Sequence, residues 1–362
     1  MPCPYCLSGG LNYIKQMKPE VFFSKKKDAS KLFDTLRINF IKENSFVAIK
    51  IHFGETGNTA YLKPENVKPL IDKVRSFKAL PFLTDANTLY KGTRSDAVNH
   101  LLTAYKHGYD FKDIGVPVII ADGLTGKESI QVAVNLKHFK EVKIAAAACH
   151  ADSLIVLTHF KGHELTGFGG SLKNVGMGLG SRAGKQMMHA DVRPEVNKEK
   201  CTACGCCVKW CPTSAIKMVN KKALIDTSKC IGCGECIASC NFGAIAVSYA
   251  GSPASVQEKM VEYFYGVWKD KKDKMVFFNF LTDISPNCDC YGWNDTPVTA
   301  DIGLLASYDP VAIDQASVDM VNDRSGSKDK FREIYPDVDW SAQLSYAESI
   351  GIGRRNYELT EI

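Results

Sequence analysis

Compact apolar runs alternate along most of the chain with stretches whose apolar positions recur every three or four residues. Residues 45–51 form a run rich in valine and isoleucine, followed by Gly54, which predicts a strand. Residues 64–77 open with proline and carry Val67, Leu70, Ile71 and Val74 on one side, which predicts a helix. Residues 81–84 predict the next strand. Ser95 is placed to cap a helix running to His107, with Ala97, Val98, Leu101, Leu102 and Tyr105 turned inward. Further strands are predicted at 116–121 and 153–160. The alternation resumes after residue 249 with a helix at 254–268 and strands at 275–281 and 302–307. Asp309-Pro310 then opens a helix to Val321, with Val311, Ile313, Ala316 and Met320 inward. From Arg324 onward no period is clear enough to assign. Strands alternating with helices predict an α/β fold, a mixed or parallel sheet flanked by helices.

Residues 197–249 interrupt this pattern with an inserted, cysteine-dense segment, expected to form a small α+β module. Cys201, Cys204, Cys207 and Cys211 are spaced C-x2-C-x2-C-x3-C, and Pro212 follows. Cys230, Cys233, Cys236 and Cys240 repeat that spacing 29 residues on, and Ala215-Ile216 recurs as Ala244-Ile245. Three cysteines at two-residue gaps wrap three irons of one cubane, and the fourth lies too far round to complete it. The spacing therefore assigns Cys201, Cys204, Cys207 and Cys240 to one 4Fe–4S cluster, and Cys230, Cys233, Cys236 and Cys211 to a second. A zinc site would favour two CxxC pairs separated by a longer gap. The segment resembles bacterial-type dicluster ferredoxins, departing from them at Asn241, where a proline is usual. Cys206 is a ninth cysteine, read as a spectator. The chain thus divides into an N-terminal extension at 1–16, a discontinuous α/β domain at 17–196 and 250–362, and a dicluster domain at 197–249. The extension carries Cys3 and Cys6, whose role is open, and Met17 is a candidate original start.

Composition narrows the class. With 362 residues, 45% hydrophobic and 23% charged, the chain can bury a sizeable core. Its net charge of +5 is mild and its lysine runs are mixed with acids, so no nucleic-acid partner is expected. No run of 18 apolar residues predicts a membrane span, and no leader pattern opens the chain. A cytoplasmic, reducing setting is therefore expected, where fourteen cysteines are metal ligands rather than disulfides.

The larger domain carries distinctive polar motifs: residues 50–55 (KIHFGE), 83–90 (LTDANTLY), 159–170 (HFKGHELTGFGG), 286–290 (PNCDC), 301–303 (DIG) and 309–314 (DPVAID). In these it resembles the iron–sulfur proteins of the domain of unknown function 362 family, from about Met17 to beyond Val321. The resemblance implies architecture more than activity.

Several of these motifs fall at predicted strand ends, where a doubly wound sheet places its sites. His52, Asp85, His159, His163, Cys288 and Cys290 are the candidate catalytic residues. Gly162 argues against a helix presenting His159 and His163 together. Cys288 and Cys290 share one side if extended, and their thiolates with a histidine can take a soft or borderline metal. A reactive thiol pair is the plainer alternative. Gly169, Gly170, Lys173 and Arg182, in a glycine-rich basic stretch, are candidates to cradle a phosphate or carboxylate of a cofactor or small-molecule ligand. The expected function is electron transfer: two 4Fe–4S clusters passing low-potential electrons to or from a redox partner protein or a pocket in the α/β domain. The alternative is a redox enzyme whose crevice holds a flavin or metal, with the clusters as its relay. A metal-dependent isomerase or hydrolase with structural clusters is a third reading.

Overall fold

The computed structural model describes residues 18–90, 92–189, 194–211, 213–230, 236, 239–240, 242–246 and 252–362. Cys3, Cys6, Cys233, Pro212 and Asn241 lie outside the described residues.

The α/β domain is built on an eight-stranded sheet. Its spatial order is Glu358–Glu361, Glu20–Ser24, Gly303–Ser307, Met275–Leu281, Ser153–His159, Phe46–Lys50, Leu80–Asp85 and Val118–Ile120. The five strands from Met275–Leu281 to Val118–Ile120 run parallel. Gly303–Ser307 is antiparallel to both its neighbours, and the last strand lies parallel to Glu20–Ser24. The sheet is therefore mixed, as the alternation predicts.

Strand alternation divides the core between the two faces. Val47, Ile49, Ile155, Leu157, Val276 and Phe278 join one apolar cluster with the helices Ala29–Thr35 and Pro64–Ser76. Ala48, Leu154, Val156 and Phe277 join the other with the helices Pro253–Trp268 and Pro310–Ser325. Met275–Leu281 and Ser153–His159 are buried at every position, which is why they read as largely apolar runs without alternation.

Three sequence expectations change. The helix Ala97–Lys106 is capped by Asp96, whose side chain accepts from Asn99 N, and not by Ser95. Its face is also reversed. His100, Thr103 and Ala104 are buried, whereas Val98, Leu102 and Tyr105 are exposed, because the neighbouring interior is polar and takes the imidazole of His100 beside Asp85. The unassigned tail forms the helices Lys330–Ile334 and Ser341–Ser349 and the edge strand Glu358–Glu361. That strand exposes all its side chains and is held by main-chain pairing, so it leaves no hydrophobic period to read.

In the cysteine-dense segment, Glu195–Val196 pairs antiparallel with Ile245–Ala246, and Ile216–Val219 with Lys222–Ile225. The 29-residue repeat becomes a local pseudo-twofold. Val196 faces Ile245 as Ile225 faces Ile216. Asn197 N donates to Ala244 O as Asp226 N donates to Ala215 O, both at 2.7 Å. Each half thus completes its strand pair with the other, and the first strand starts two residues before position 197.

Candidate functional site

After Phe46–Lys50 the chain moves to Leu80–Asp85 on one side; after Ser153–His159 it moves to Met275–Leu281 on the other. The order reverses between these central strands, and a crevice opens at their C-terminal ends. It holds a cavity of about 760 Å³, within the range of small-molecule sites. His52 and Glu55 enter from the first strand end, Asp85 and Arg94 from the second, Lys161 and His163 from the third, and Cys288 and Cys290 from the loop after the fourth.

Three donors converge on one wall. A ring nitrogen of His163 and the sulfurs of Cys288 and Cys290 all lie within 4.8 Å of one another, an arrangement that could hold a metal ion. His163 sits on a short strand, Lys161–His163, rather than on a helix. Gly162 lets that strand lie against the thiol loop: an added Cβ would stand 2.1 Å from the Pro286 carbonyl oxygen. Cys288 and Cys290 are in a turn, not extended, yet both face the cavity. Asp289 between them accepts from His159 Nδ1 at 2.9 Å and meets Lys161 Nζ at 3.0 Å. Burial pushes the Asp289 carboxyl up, but His159 and Lys161 outweigh it and hold the group below the usual carboxylate range. His159 itself does not line the cavity. It anchors the loop from beneath, with Nε2 toward the carbonyls of Thr282 and Asp283.

Lys173 Nζ lies 3.7 Å from Cys288 Sγ. The hydrogen bond from Cys290 holds the Cys288 thiol well below its ordinary value despite burial, with Lys173 and His163 adding to the effect. His52 lines the cavity, and burial followed by the charges of Arg94 and Lys161 keeps its imidazole neutral. Asp85 is tied to Lys50 at 3.1 Å and Arg94 at 3.5 Å. Burial lowers the Lys50 ammonium to about 8, against the pull of Asp85. Lys50, Lys161 and Asp289 fall within the distinctive motifs without being marked as site residues, and Arg94 falls in none of them. A lysine inside the apolar run at 45–51 was the available signal for the first.

Gly169, Gly170 and Lys173 line the cavity, while the amides just after Gly170 are taken by an internal carboxylate. The Asp314 carboxylate accepts from Ser171 N at 2.7 Å and Leu172 N at 2.9 Å, and a Cβ on Gly170 would stand 2.4 Å from it. The glycine makes room for an internal carboxylate. Arg182 does not line the cavity; its stem packs on Gly126, and the charges of Asp122 and Asp96 act on its guanidinium. His189, close in sequence, does line it.

In the repeat, Cys201, Cys204, Cys207 and Cys240 border one small hollow, with Cys206 also on its rim. Ala215 N donates to Cys211 Sγ and Ala244 N to Cys240 Sγ, both at 3.2 Å, so the pseudo-twofold extends to the sulfurs. Cys207 and Cys236 share a buried cluster with Ile216, Ala223, Ile245 and Leu89. Leu89 also lines the crevice cavity. Lys127 Nζ, from the larger domain, lies 4.1 Å from the centre of the Trp210 ring.

Fold and site define an α/β protein with a ligand-sized crevice at the sheet's switch point and a cysteine and histidine group able to bind metal. The chain belongs to the domain of unknown function (DUF362) family, whose profile matches residues 47–319. Among solved structures it is similar to the lactate racemase apoprotein from Thermoanaerobacterium thermosaccharolyticum, with 12% identity and a TM-score of 0.38 over 74% of this chain and 51% of that one. It is also similar to a Thermotoga maritima protein from the Northeast Structural Genomics Consortium, with 12% identity and a TM-score of 0.37 over 82% of this chain and 57% of that one. The chain thus spans little more than half the length of these two. No curated protein matches it in sequence. Among the described residues, no helix is long and apolar enough to cross a membrane.

Proposed function

We propose that the protein is an iron–sulfur redox protein in which two 4Fe–4S clusters exchange single electrons with chemistry in the crevice, supplied or drained by an external redox partner. Cys201, Cys204, Cys207 and Cys240 hold one cluster; Cys230, Cys233, Cys236 and Cys211 hold the other. The bordering of one hollow by the first four supports that assignment. Amide-to-sulfur bonds of the kind at Cys211 and Cys240 stabilise anionic sulfur and raise cluster potentials.

The observation that carries the relay reading is Leu89. Leu89 belongs to the buried cluster that holds Cys207 and Cys236 and also walls the cavity, so one residue is common to both sites. A pure carrier needs no such junction.

Anaerobic purification with iron, sulfide and flavin quantification tests the cluster assignment. About eight irons and eight sulfides per chain are expected; fewer in fully loaded protein overturn it. Redox titration of the reduced-cluster magnetic resonance signal then compares the parent with Cys288→Ser/Cys290→Ser. Coupling to the crevice is expected to shift the midpoint or line shape of the nearer cluster. Identical spectra and midpoints would leave a carrier serving only its external partner.

A further inference from the structure

We infer that His163, Cys288 and Cys290 bind one borderline divalent metal ion of the zinc type, and that its open coordination position takes the oxyanion of a small organic acid or phosphate. The inference deepens the proposed reading of the crevice as the reacting site, and rests on it only for the connection to the clusters.

Donor spacing carries the first half. Metal–sulfur and metal–imidazole bonds of about 2.3 and 2.0 Å place tetrahedral donors roughly 3.5–3.8 Å apart, and these three, all within 4.8 Å of one another, reach that spacing by drawing in about 1 Å. Two thiolates and an imidazole select a borderline or soft ion over calcium or magnesium. Three protein ligands are also the number found where zinc keeps a position for substrate. Here Cys288, Cys290 and His163 all border the same large cavity, so that position opens onto it.

The surroundings are built to hold the donors. The Leu165 amide lies 3.1 Å from His163 Nδ1, which fixes the orientation of the ring. Glu164 Oε2, a buried oxygen with no hydrogen-bond partner, lies 3.8 Å from Nε2, and Tyr291 OH donates to the other oxygen of Glu164 at 3.1 Å. The thiol loop is fixed through Asp289, whose carboxylate meets His159 and Lys161 and whose carbonyl accepts from Glu55 N at 2.9 Å.

Lys173 carries the second half. A divalent ion, two thiolates and the Glu164 carboxylate beside His163 sum to minus one, and Lys173, 3.7 Å from Cys288, brings the site to neutral. Lys173 lines the same cavity and has no carboxylate within salt-bridge distance among the described residues, so it is the cation that meets an oxyanion whose other oxygen is on the metal.

The test uses the full, cluster-loaded chain with cobalt(II) as the metal probe. One cobalt per chain is expected, with sulfur-to-cobalt charge-transfer absorption and strong visible ligand-field bands in the difference spectrum. Both should be lost in Cys290→Ser and, independently, in His163→Gln, with iron content and circular dichroism unchanged. Equal cobalt uptake by the parent and a folded variant of either kind overturns the metal centre. Malonate and inorganic phosphate are then titrated separately, with malonamide as the uncharged control. At least one anion, and not malonamide, is expected to shift the ligand-field bands, and the responding anion tells carboxylate from phosphate. Lys173→Met is expected to weaken that response at least tenfold without changing cobalt stoichiometry. A response to neither anion, or one indifferent to Lys173→Met, overturns the oxyanion assignment. Iron and sulfide counts depend on the repeat cysteines alone, so low iron with normal cobalt binding sinks the relay and leaves this site standing.

Discussion

Asp314 sits on the helix Pro310–Ser325, yet its carboxylate serves another segment, accepting from Ser171 N, Leu172 N and Asn279 Nδ2. It thereby fixes the start of the helix that presents Lys173 and Asn174 to the cavity. Burial pushes its carboxyl up to about 6, against the pull of those donors. Folding therefore takes up a proton between the ordinary value of 3.8 and about 6, and this group's contribution to stability falls as pH rises through that window. A complete protonation difference over that span is worth about 3 kcal/mol. The stability of the parent relative to Asp314→Asn, measured by urea unfolding at several pH values, is expected to drop by about 2 kcal/mol from pH 4 to pH 6.5. A gap that widens with pH would mean that the amides of Ser171 and Leu172 hold the carboxylate ionised. Sequence reading placed an external anion at Gly170. The residue type was right for an anion's approach, but the partner lies 144 positions further on, in a separate motif.

At the scale of elements, the repeat is two copies that cannot be completed separately. Each copy's strand pairs with the other's, and the proposed ligand sets cross in the same way. Cys240→Ser is therefore expected to damage the cluster held by Cys201, Cys204 and Cys207, and Cys211→Ser the other. Each variant is expected to keep about four irons in one cluster of unchanged signal, read by iron analysis and magnetic resonance. Pairing each fourth cysteine with its own triplet would predict the opposite assignment of damage. The 29-residue period was plain in the sequence because ligand spacing is local. The helix at 97–106 misled because burial there is set by a neighbour: His100 faces Asp85, and its own apolar side chains are left outside.

At the scale of the whole molecule, the two parts differ in how they are held together. The sheet domain has two extensive apolar clusters, one on each face. The repeat's described core is Cys207, Ile216, Ala223, Cys236 and Ile245, with Leu89 lent by the larger domain. A segment of about 50 residues is only marginally stable on apolar burial, and the proposed metal clusters would supply the difference. Stripping the clusters with chelator and oxidant is expected to open residues 197–249 to protease while the sheet domain keeps its far-ultraviolet circular dichroism. Equal protease resistance with and without clusters would show that the repeat stands on its own contacts.

Local information was enough for the strands Phe46–Lys50, Leu80–Asp85, Val118–Ile120, Ser153–His159, Met275–Leu281 and Gly303–Ser307, the helices Pro64–Ser76, Ala97–Lys106, Pro253–Trp268 and Pro310–Ser325, and the 29-residue cysteine period, because hydrophobic period and ligand spacing are short-range properties. It also marked His52, Asp85, His163, Cys288 and Cys290 as polar residues at strand ends. What it left open is which of them meet. His163 reaches the two thiols only because Gly162 admits the Pro286 carbonyl; His159, four residues earlier, is turned beneath the loop to hold Asp289. Leu89 joins crevice to repeat through packing between segments more than a hundred residues apart. Such encounters depend on strand order and on which face each side chain occupies, and those are decided only when the whole sheet closes around its core.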